Sequence, residues 1–332
     1  MLDASAWWLR GGHLQTVVAA KLARVGDESR PLDWQREPWS TPDGDFIEVD
    51  ALLPEDGADP AGAAPCLVLF HGLEGSSLSH YARALALQAR RRGWALVLPH
   101  FRGCGGRLNR APRAYHSGDW PEIDWILRRV RAQRSGPVYA VGVSLGGNAL
   151  MRWAAERGAQ ARESVSAVAA ICAPLDLVRS GEALGHGLNR VLYTPLFLRT
   201  MKPKAQAKWQ QYPGLFDLER ALRARTLAEF DDAFTAPVHG FHGVRDYWTR
   251  ASAKPLLRQI ALPALLLNAR NDPFVPASSL PQAEEVSDRV TLWQPAQGGH
   301  VGFVAGAWPG HVHAMPQAVA DWLQDNAEPT RG

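Results

Sequence analysis

A serine between two glycines is the position in this chain best suited to covalent chemistry. Gly142, Ser144 and Gly146 form the pattern G-x-S-x-G. The apolar run 137–143 before the serine is typical of a short buried strand, and 145–157 after it is typical of a helix. A serine on a tight strand-to-helix turn holds its hydroxyl away from the backbone, and flanking glycines leave room for that turn. The pattern therefore predicts a nucleophile rather than a plain glycine-rich turn.

A nucleophilic serine needs an acid and a histidine, which follow this kind of elbow in that order along the chain. Asp272 lies in the turn after a buried strand predicted at 263–269. His300 lies in a glycine-rich loop after a strand predicted at 289–294. Asp272 could instead only shape its Asn-Asp-Pro turn, and His300 could be a capping or core histidine. We expect Ser144, Asp272 and His300 to form a catalytic triad.

Two other patterns compete with this interpretation. Asp176 follows a strand predicted at 165–172 and is an alternative acid, although its setting also fits the capping of a helix. An H-x-x-H pattern at 239–242 and an H-x-H pattern at 311–313 could suggest metal ligands. Neither pattern has a nearby cysteine or a third ligand. We therefore expect no metal and no cofactor.

An acyl-transfer site also needs backbone N–H groups that stabilise the oxyanion of the tetrahedral intermediate. A strand predicted at 65–71 runs into the glycine-rich segment His-Gly-Leu-Glu-Gly at 71–75. The expected donors are the amides of Leu73, in this segment, and of Leu145, next to the nucleophile. His71 is expected to support the loop, with direct substrate contact as the alternative.

Composition limits the class of protein. The chain has 332 residues, which suits one α/β domain with an insertion or two small domains. It is 46% apolar and 21% charged, as expected of a globular protein, and its net charge of +3 is too small to favour a nucleic-acid partner. Three cysteines form no disulfide framework, and no segment approaches the roughly 18 apolar residues of a membrane span or resembles a signal peptide. We expect a cytoplasmic protein with a small-molecule partner.

Strand and helix patterns alternate along most of the chain. Residues 1–33 are predicted to form an N-terminal arm, 34–175 and 246–327 an α/β core, and 176–245 a helical insertion. Strands are predicted at 65–71, 94–101, 137–143, 165–172, 263–269 and 289–294, and helices at 78–92, 121–134, 145–157, 277–286 and 314–325. This alternation predicts a mostly parallel sheet covered by helices on both faces, with the reactive groups at the carboxyl ends of the strands.

The insertion at 176–245 is expected to cover the active site. Its aromatic and aliphatic residues favour a lid over an apolar acyl pocket, and the alternative is a cap that merely packs on the sheet. The neighbouring Trp7 and Trp8 in the arm could touch a membrane interface, but packing on the domain is the favoured interpretation.

Several motifs together resemble the α/β-hydrolase superfamily and, within it, the YheT-like (AB-hydrolase-4) group of predicted esterases. The resemblance covers nearly the whole chain. Its motifs are Gly12–Thr16, His71–Gly75, Phe101–Gly105, Tyr115–Asp119, Phe230–Asp232 with Thr235, Gly240–Phe241 and Gly298–Phe303, with Ser144, Asp272 and His300 on the triad positions. Arg102, Cys104 and His116 lie in two of these motifs at the mouth of the sheet. They are expected to shape the mouth, with substrate contact by Arg102 and His116 as the alternative.

The resemblance implies hydrolysis of carboxylic esters, with short- to medium-chain acyl esters or glycerides as substrates and no cofactor. Two alternatives stay open. The same triad could transfer the acyl group to an alcohol or thiol instead of water. A non-catalytic protein could also keep the fold as a ligand-binding scaffold.

Overall fold

The structure, a computed structural model, describes residues 6–26, 31–54, 59 and 62–328. Its centre is an eight-stranded sheet in the order β1-β2-β4-β3-β5-β6-β7-β8. The strands are β1 Gln35–Ser40, β2 Phe46–Leu52, β3 Cys66–Phe70, β4 Ala95–Pro99, β5 Val138–Val143, β6 Ala167–Ile171, β7 Ala264–Leu267 and β8 Val290–Trp293. Strand β2 runs antiparallel to β1 and β4, and all other neighbours are parallel. The predicted α/β-hydrolase fold, with a mostly parallel sheet, is confirmed.

The register of the central strands brings their carboxyl ends to one edge. Phe70 pairs with Gly142, Val143 pairs with Ile171, and Ile171 pairs with Leu267. All residues of β3, β5, β6 and β7 are buried. Continuous burial of this kind requires the near-continuous apolar sequence seen in these strands, because helices cover both faces of a parallel sheet.

Helices flank the sheet on both faces. The helices of the arm and core are α1 Gly12–Lys21, α2 His80–Arg91, α3 Trp120–Ala132, α4 Leu145–Arg157 and α12 Ala314–Asn326. One apolar core joins α3 and α4 to the sheet, and another joins α2 and α12 to it. Leu150, Met151 and Trp153 of α4 are fully buried, and burial of such side chains contributes about 1.5–3 kcal/mol each. This packing holds the start of α4 rigidly at the sheet edge.

Between β6 and β7 the chain forms a cap of short helices. These are α5 Leu177–Leu184, α6 Gly187–Leu192, α7 Thr194–Gln211, α8 Leu218–Arg223, α9 Leu227–Phe230, a π-helical turn Asp231–Thr235, α10 Ala236–Val238 and α11 Val244–Ala251. The cap has an apolar cluster of its own, which includes Phe216, Phe230 and Phe234. The insertion predicted at 176–245 lies in this stretch. Among the helices described, none combines bilayer-spanning length with apolar composition.

One predicted helix is wrong. The segment 277–286 forms two 3₁₀ turns, Ala277–Ser279 and Ala283–Glu285, instead of one helix. Pro281 lies between the turns; it has no N–H to donate, and it disfavours helical geometry in the residue before it.

Candidate active site

Ser144 occupies a strained turn between β5 and α4. Its φ of 52° lies in the left-handed region, which is uncommon for any residue except glycine. A Cβ on Gly142 would lie 2.4 Å from the Gly146 carbonyl oxygen, and a Cβ on Gly146 would lie 2.5 Å from the carbonyl oxygens of Phe70 and His71. Only glycine fits these two positions, and the turn therefore presents the serine hydroxyl at the edge of the sheet.

The three residues predicted as a triad meet at this edge. The His300 Nε2 atom lies 3.0 Å from the Ser144 Oγ atom, and the His300 Nδ1 atom lies 2.8 Å from the Asp272 Oδ2 atom. Both distances are within hydrogen-bonding range. With the Nδ1 proton donated to the carboxylate, Nε2 is free to accept the serine proton.

The Asp272 carboxylate is held on its other side by the backbone. Its Oδ1 atom accepts the N–H of Phe274 at 2.8 Å and that of Val275 at 3.3 Å, and the side chain is fully buried. The turn-shaping role considered for Asp272 therefore coexists with its contact to His300. The alternative acid, Asp176, instead caps α5 by accepting the Arg179 N–H at 3.1 Å.

Residues from the N-terminal arm hold the acid turn and the histidine loop together. Gln15 is fully buried, and its Oε1 atom accepts the Gly298 N–H at 2.9 Å and the Asn271 side-chain amide at 2.8 Å. The Thr16 hydroxyl accepts the His300 N–H at 2.9 Å. Sequence reasoning gave these two residues no role. Their only signal was their place in the Gly12–Thr16 motif.

The two residues whose backbone amides are predicted to bind the oxyanion, Leu73 and Leu145, line the same pocket as Ser144. Leu145 begins α4, and Leu73 precedes Glu74, whose φ is 57°. Within the described ranges, neither amide has an acceptor. Residues 72–75 form the loop that carries the Leu73 amide, and we call them the oxyanion loop. Tyr115 stabilises this loop, since its hydroxyl accepts the Glu74 N–H at 3.1 Å and donates to the Glu74 carboxylate at 2.8 Å. Both N–H groups are therefore free to bind an oxyanion.

A pocket between the sheet edge and the cap opens onto Ser144 and His300. Its cavity volume is about 130 Å³, and most of its wall is apolar. The cap supplies Leu184, Phe197, Met201, Leu227, Phe230 and Phe234 to this wall. The Phe274 ring lies 4.3 Å from the His300 ring, centroid to centroid, and closes the pocket on the histidine side.

The three residues considered for substrate contact, His71, Arg102 and His116, lie in different places. His71 is fully buried behind the oxyanion loop, where Nδ1 donates to the Gly72 carbonyl at 2.7 Å and Nε2 accepts the Phe101 N–H at 3.0 Å. Burial lowers its pKa to about 3, which matches a neutral ring with one donor and one acceptor. His71 therefore supports the loop and does not line the pocket.

Arg102 and His116 both lie in the pocket wall. The Arg102 guanidinium is already bound by three carboxylates, those of Asp43, Asp45 and Glu122. His116 packs against the ring of His239 at 4.7 Å, and burial lowers its pKa to about 3. At neutral pH His116 is therefore an uncharged part of the wall, and the Arg102 charge is balanced within the protein.

One ion pair joins the cap to the oxyanion loop. The Lys204 Nζ atom on α7 lies 2.8 Å from the Glu74 Oε2 atom and 2.9 Å from Oε1. The Cys104 thiol is 3.4 Å from the same Nζ atom, and burial raises the pKa of this thiol to about 12. Sequence reasoning did not predict this contact, because nothing in the local pattern of α7 indicates its distant partner.

Asp231, at the start of the π-helical turn, contributes a carboxyl to the cap side of the pocket wall, and the residue as a whole is partly buried. It accepts hydrogen bonds from the Thr235 hydroxyl at 2.7 Å and the Trp248 indole N–H at 2.9 Å. Burial raises its pKa to about 6, although these two hydrogen bonds act in the opposite direction. The charge of this wall therefore changes in weakly acidic solution.

The described residues contain one cluster with metal-ligand types at suitable distances, formed by Cys172, Asp272 and His300. The His300 and Asp272 atoms already share a hydrogen bond. Burial raises the pKa of the Cys172 thiol well above its ordinary value, which opposes the thiolate form that metals bind. The Cys172 sulfur instead accepts the Val301 N–H at 3.2 Å.

Known proteins are similar to this chain over most of its length. Residues 65–307 match the family model described as the alpha/beta hydrolase fold. The chain is 38% identical to "Putative esterase YheT" of Escherichia coli K12, over 94% of this chain and 89% of that protein. It is 26% identical to "Phospholipase ABHD3" of Homo sapiens and to "Monoacylglycerol lipase ABHD2" of Danio rerio, in each case over 90% of this chain and 73% of the relative.

Solved structures agree at the level of the fold. Est1E from Butyrivibrio proteoclasticus, with ferulic acid bound, superposes with a TM-score of 0.55 at 16% identity, over 86% of this chain and 98% of that chain. The esterase Pf2001 from Pyrococcus furiosus gives a TM-score of 0.56 at 15% identity, over 90% of this chain and 94% of that chain.

Proposed function

Because this chain belongs to the α/β-hydrolase family, and within it to the YheT-like group, we propose that it is a serine esterase that cleaves carboxylic esters through an acyl-enzyme. The observation that carries the proposal is the hydrogen-bonded series from Ser144 through His300 to Asp272 at the floor of an apolar pocket. A protein that only binds a ligand needs no such series.

In the first step, the Ser144 oxygen attacks the carbonyl carbon of the ester while His300 Nε2 takes the serine proton. Asp272 keeps the histidine ring in the required tautomer and stabilises the imidazolium that forms. The amides of Leu73 and Leu145 donate hydrogen bonds to the oxyanion. Loss of one such donor typically lowers turnover by about 10²–10³.

The intermediate collapses as His300 donates its proton to the leaving alcohol, and the acyl group stays on Ser144. Water then enters, gives a proton to His300 and attacks the acyl-enzyme in the same geometry. The carboxylic acid leaves and the serine regains its proton. This cycle uses only groups of the chain and water.

The pocket wall supports an acyl chain as the group that is recognised. The aromatic and aliphatic side chains of the cap give apolar contact, and the one carboxyl among them, Asp231, is hydrogen-bonded within the cap. We propose short- to medium-chain acyl esters or glycerides as the substrates, and the lipase and phospholipase names of two relatives support this class. The cytoplasmic location predicted from the sequence stays a prediction.

A panel of p-nitrophenyl esters graded by acyl length tests the proposal. The wild-type chain should hydrolyse short and medium members, and Ser144→Ala should lower kcat by about 10⁴ or more without unfolding the chain. Retention of hydrolysis in Ser144→Ala would refute the proposal. The same reactions with an added alcohol decide between hydrolysis and acyl transfer, because transfer gives a new ester as the product.

A further inference from the structure

Helix α6 and the first turn of α7 leave four large apolar side chains in solvent. Leu188, Val191, Leu192 and Leu196 are 61%, 71%, 45% and 57% exposed, and we call these four residues the docking patch. Leu188, Val191 and Leu192 have the i, i+3, i+4 spacing that places side chains on one helix face. Contiguous exposed apolar surface of this kind marks an interaction site more often than scattered residues do.

The docking patch lies on the outer side of the wall that encloses the pocket. Leu196 is exposed, whereas the next residue, Phe197, lines the pocket. Tyr193, which follows α6, places its ring 4.6 Å from the Phe274 ring, which in turn contacts His300. A surface bound to the docking patch would therefore lie two aromatic rings away from the catalytic histidine.

The segment that carries the docking patch has charges of one sign between Glu182 and Asp217. The 34 residues 183–216 contain five Lys or Arg residues and no Asp or Glu. Lys204 is paired with Glu74, and the Lys208 Nζ atom binds the carbonyls of Asn109 and Ala111. The other three, Arg190, Arg199 and Lys202, have no ion-pair or hydrogen-bond partner for their charged groups in the described part of the chain. Free cations beside exposed apolar side chains are complementary to an anionic surface with an apolar interior.

The N-terminal arm beside the docking patch also combines exposed apolar side chains with cations. His13 of α1 stacks on Tyr193, with ring centroids 5.8 Å apart. Leu14 and Val17 are 59% and 41% exposed. The described arm segment 6–26 contains three Lys or Arg residues and no Asp or Glu. Two segments that meet at one aromatic contact thus share the same pattern of exposed apolar side chains and cations.

We propose that the docking patch seats this protein on an anionic lipid bilayer, with the apolar side chains inserted among the acyl chains and Arg190 and Arg199 against the lipid phosphates. This inference rests on the proposed ester hydrolysis for its purpose, since a bilayer would present lipid esters beside the pocket. The binding itself needs no turnover and can be measured separately.

Vesicle sedimentation tests the inference with the full chain. The wild type should sediment with vesicles that contain phosphatidylglycerol and phosphatidylcholine, much less with phosphatidylcholine alone, and less as salt is raised. Leu188→Ser/Val191→Ser and Arg190→Gln/Arg199→Gln should each reduce the bound fraction by about fivefold or more. The matched control Arg220→Gln/Arg223→Gln removes two exposed arginines from α8, elsewhere on the cap, and should bind as the wild type does.

Hydrolysis of a soluble short-chain ester by the same preparations separates the two proposals. Both docking variants should keep wild-type turnover, which shows that they are folded. Wild-type binding that does not require anionic lipid, or unchanged vesicle binding by Leu188→Ser/Val191→Ser, would overturn the proposal that the docking patch binds an anionic bilayer. A wild-type dimer that becomes monomeric in this variant, without vesicle binding, would also overturn it and assign the face to a second copy of the chain. Vesicle binding without ester hydrolysis would instead contradict the proposed function alone.

Discussion

The catalytic edge of the sheet and the cap that covers it are built differently. At the edge, turns are fixed by glycines, by positive φ angles and by hydrogen bonds to the backbone, as at Ser144 and Asp272. In the cap, short helices pack through aromatic side chains, and one ion pair, Lys204–Glu74, joins the cap to the oxyanion loop. We therefore expect the proposed chemistry to depend on geometry at the edge, and the cap to set the surroundings in which it occurs. Substitutions at the edge should therefore lower turnover far more than substitutions in the cap.

The largest effect is expected at the acid. Asp272→Asn should lower kcat on a soluble ester by about 10³–10⁴, because the amide favours the wrong histidine tautomer and cannot stabilise the imidazolium. The matched control is Asp176→Asn, at the carboxylate that caps α5. Asparagine caps about as well as aspartate, so kcat should stay within about twofold. If the control lost activity and Asp272→Asn kept it, the assignment of the acid would be reversed.

A smaller effect on kcat is expected at Gln15, the residue of the arm that supports the edge. Gln15→Leu leaves the buried Gly298 N–H without its acceptor, and a buried unsatisfied group costs about 1–3 kcal/mol; the Asn271 side-chain amide loses one of its two acceptors and keeps Gln297. We expect kcat to fall about 10- to 100-fold through displacement of the histidine loop, with a lower Tm.

The neighbouring Leu14→Ala provides the control for the arm, since Leu14 is exposed on the same helix. Its kcat on a soluble ester and its Tm should match those of the wild type. Unchanged kcat in Gln15→Leu would show that the edge does not depend on the arm.

At the junction of the two regions, Lys204→Met removes the cation that faces the mostly buried Glu74 carboxylate. The Tyr115 hydrogen bonds remain, so the oxyanion loop should shift only slightly, and we expect kcat to fall about fivefold. Lys202→Met, two residues earlier on α7, is the control and should leave kcat unchanged. Equal kcat values for the two variants would mean that the ion pair does not position the loop.

Inside the cap, Asp231→Asn should change stability more than turnover. The pKa of Asp231 is about 6 in the folded chain, whereas the ordinary value for an aspartate side chain is 3.8. The folded state therefore holds the proton more tightly than the unfolded state does. As pH rises from about 4 to above 6, ionisation of the buried group should lower the free energy of unfolding of the wild type by up to about 3 kcal/mol relative to the variant. Unfolding in guanidinium chloride at several pH values measures this difference.

Asp246→Asn is the control, because the contribution of Asp246 to the free energy of unfolding should depend on pH in the opposite direction. Asp246 is partly exposed on α11, and a hydrogen bond from the His242 N–H lowers its pKa. Its contribution to stability is present above the ordinary pKa and is lost as pH falls. A pH-independent difference between the wild type and Asp231→Asn would show that the cap does not hold a destabilised carboxyl.

Local sequence predicted the parts of the molecule whose geometry is local. The parallel sheet followed from apolar runs of strand length, and the positions of Ser144, Asp272 and His300 followed from turns after those runs. The helix predicted at 277–286 was wrong, because Pro281 inside the segment has no N–H for a helical hydrogen bond and the chain forms two short 3₁₀ turns on either side of it.

Contacts between distant segments were not predictable in the same way. Thr16 and His300 are 284 positions apart, and Lys204 and Glu74 are 130 apart. A polar side chain in a helix gives no local sign of the group that it will meet. One sequence alone therefore indicates which residues can react, but not which residues support them.

The central claim is that Ser144 is the nucleophile of this protein. Its most direct test is the mapping, by peptide mass spectrometry, of the adduct formed when the folded chain reacts with a fluorophosphonate. We expect one adduct, on Ser144, with loss of ester hydrolysis in proportion to labelling and no adduct in Ser144→Ala. An adduct on another residue that abolishes hydrolysis, or hydrolysis that persists in the fully labelled chain, would contradict it.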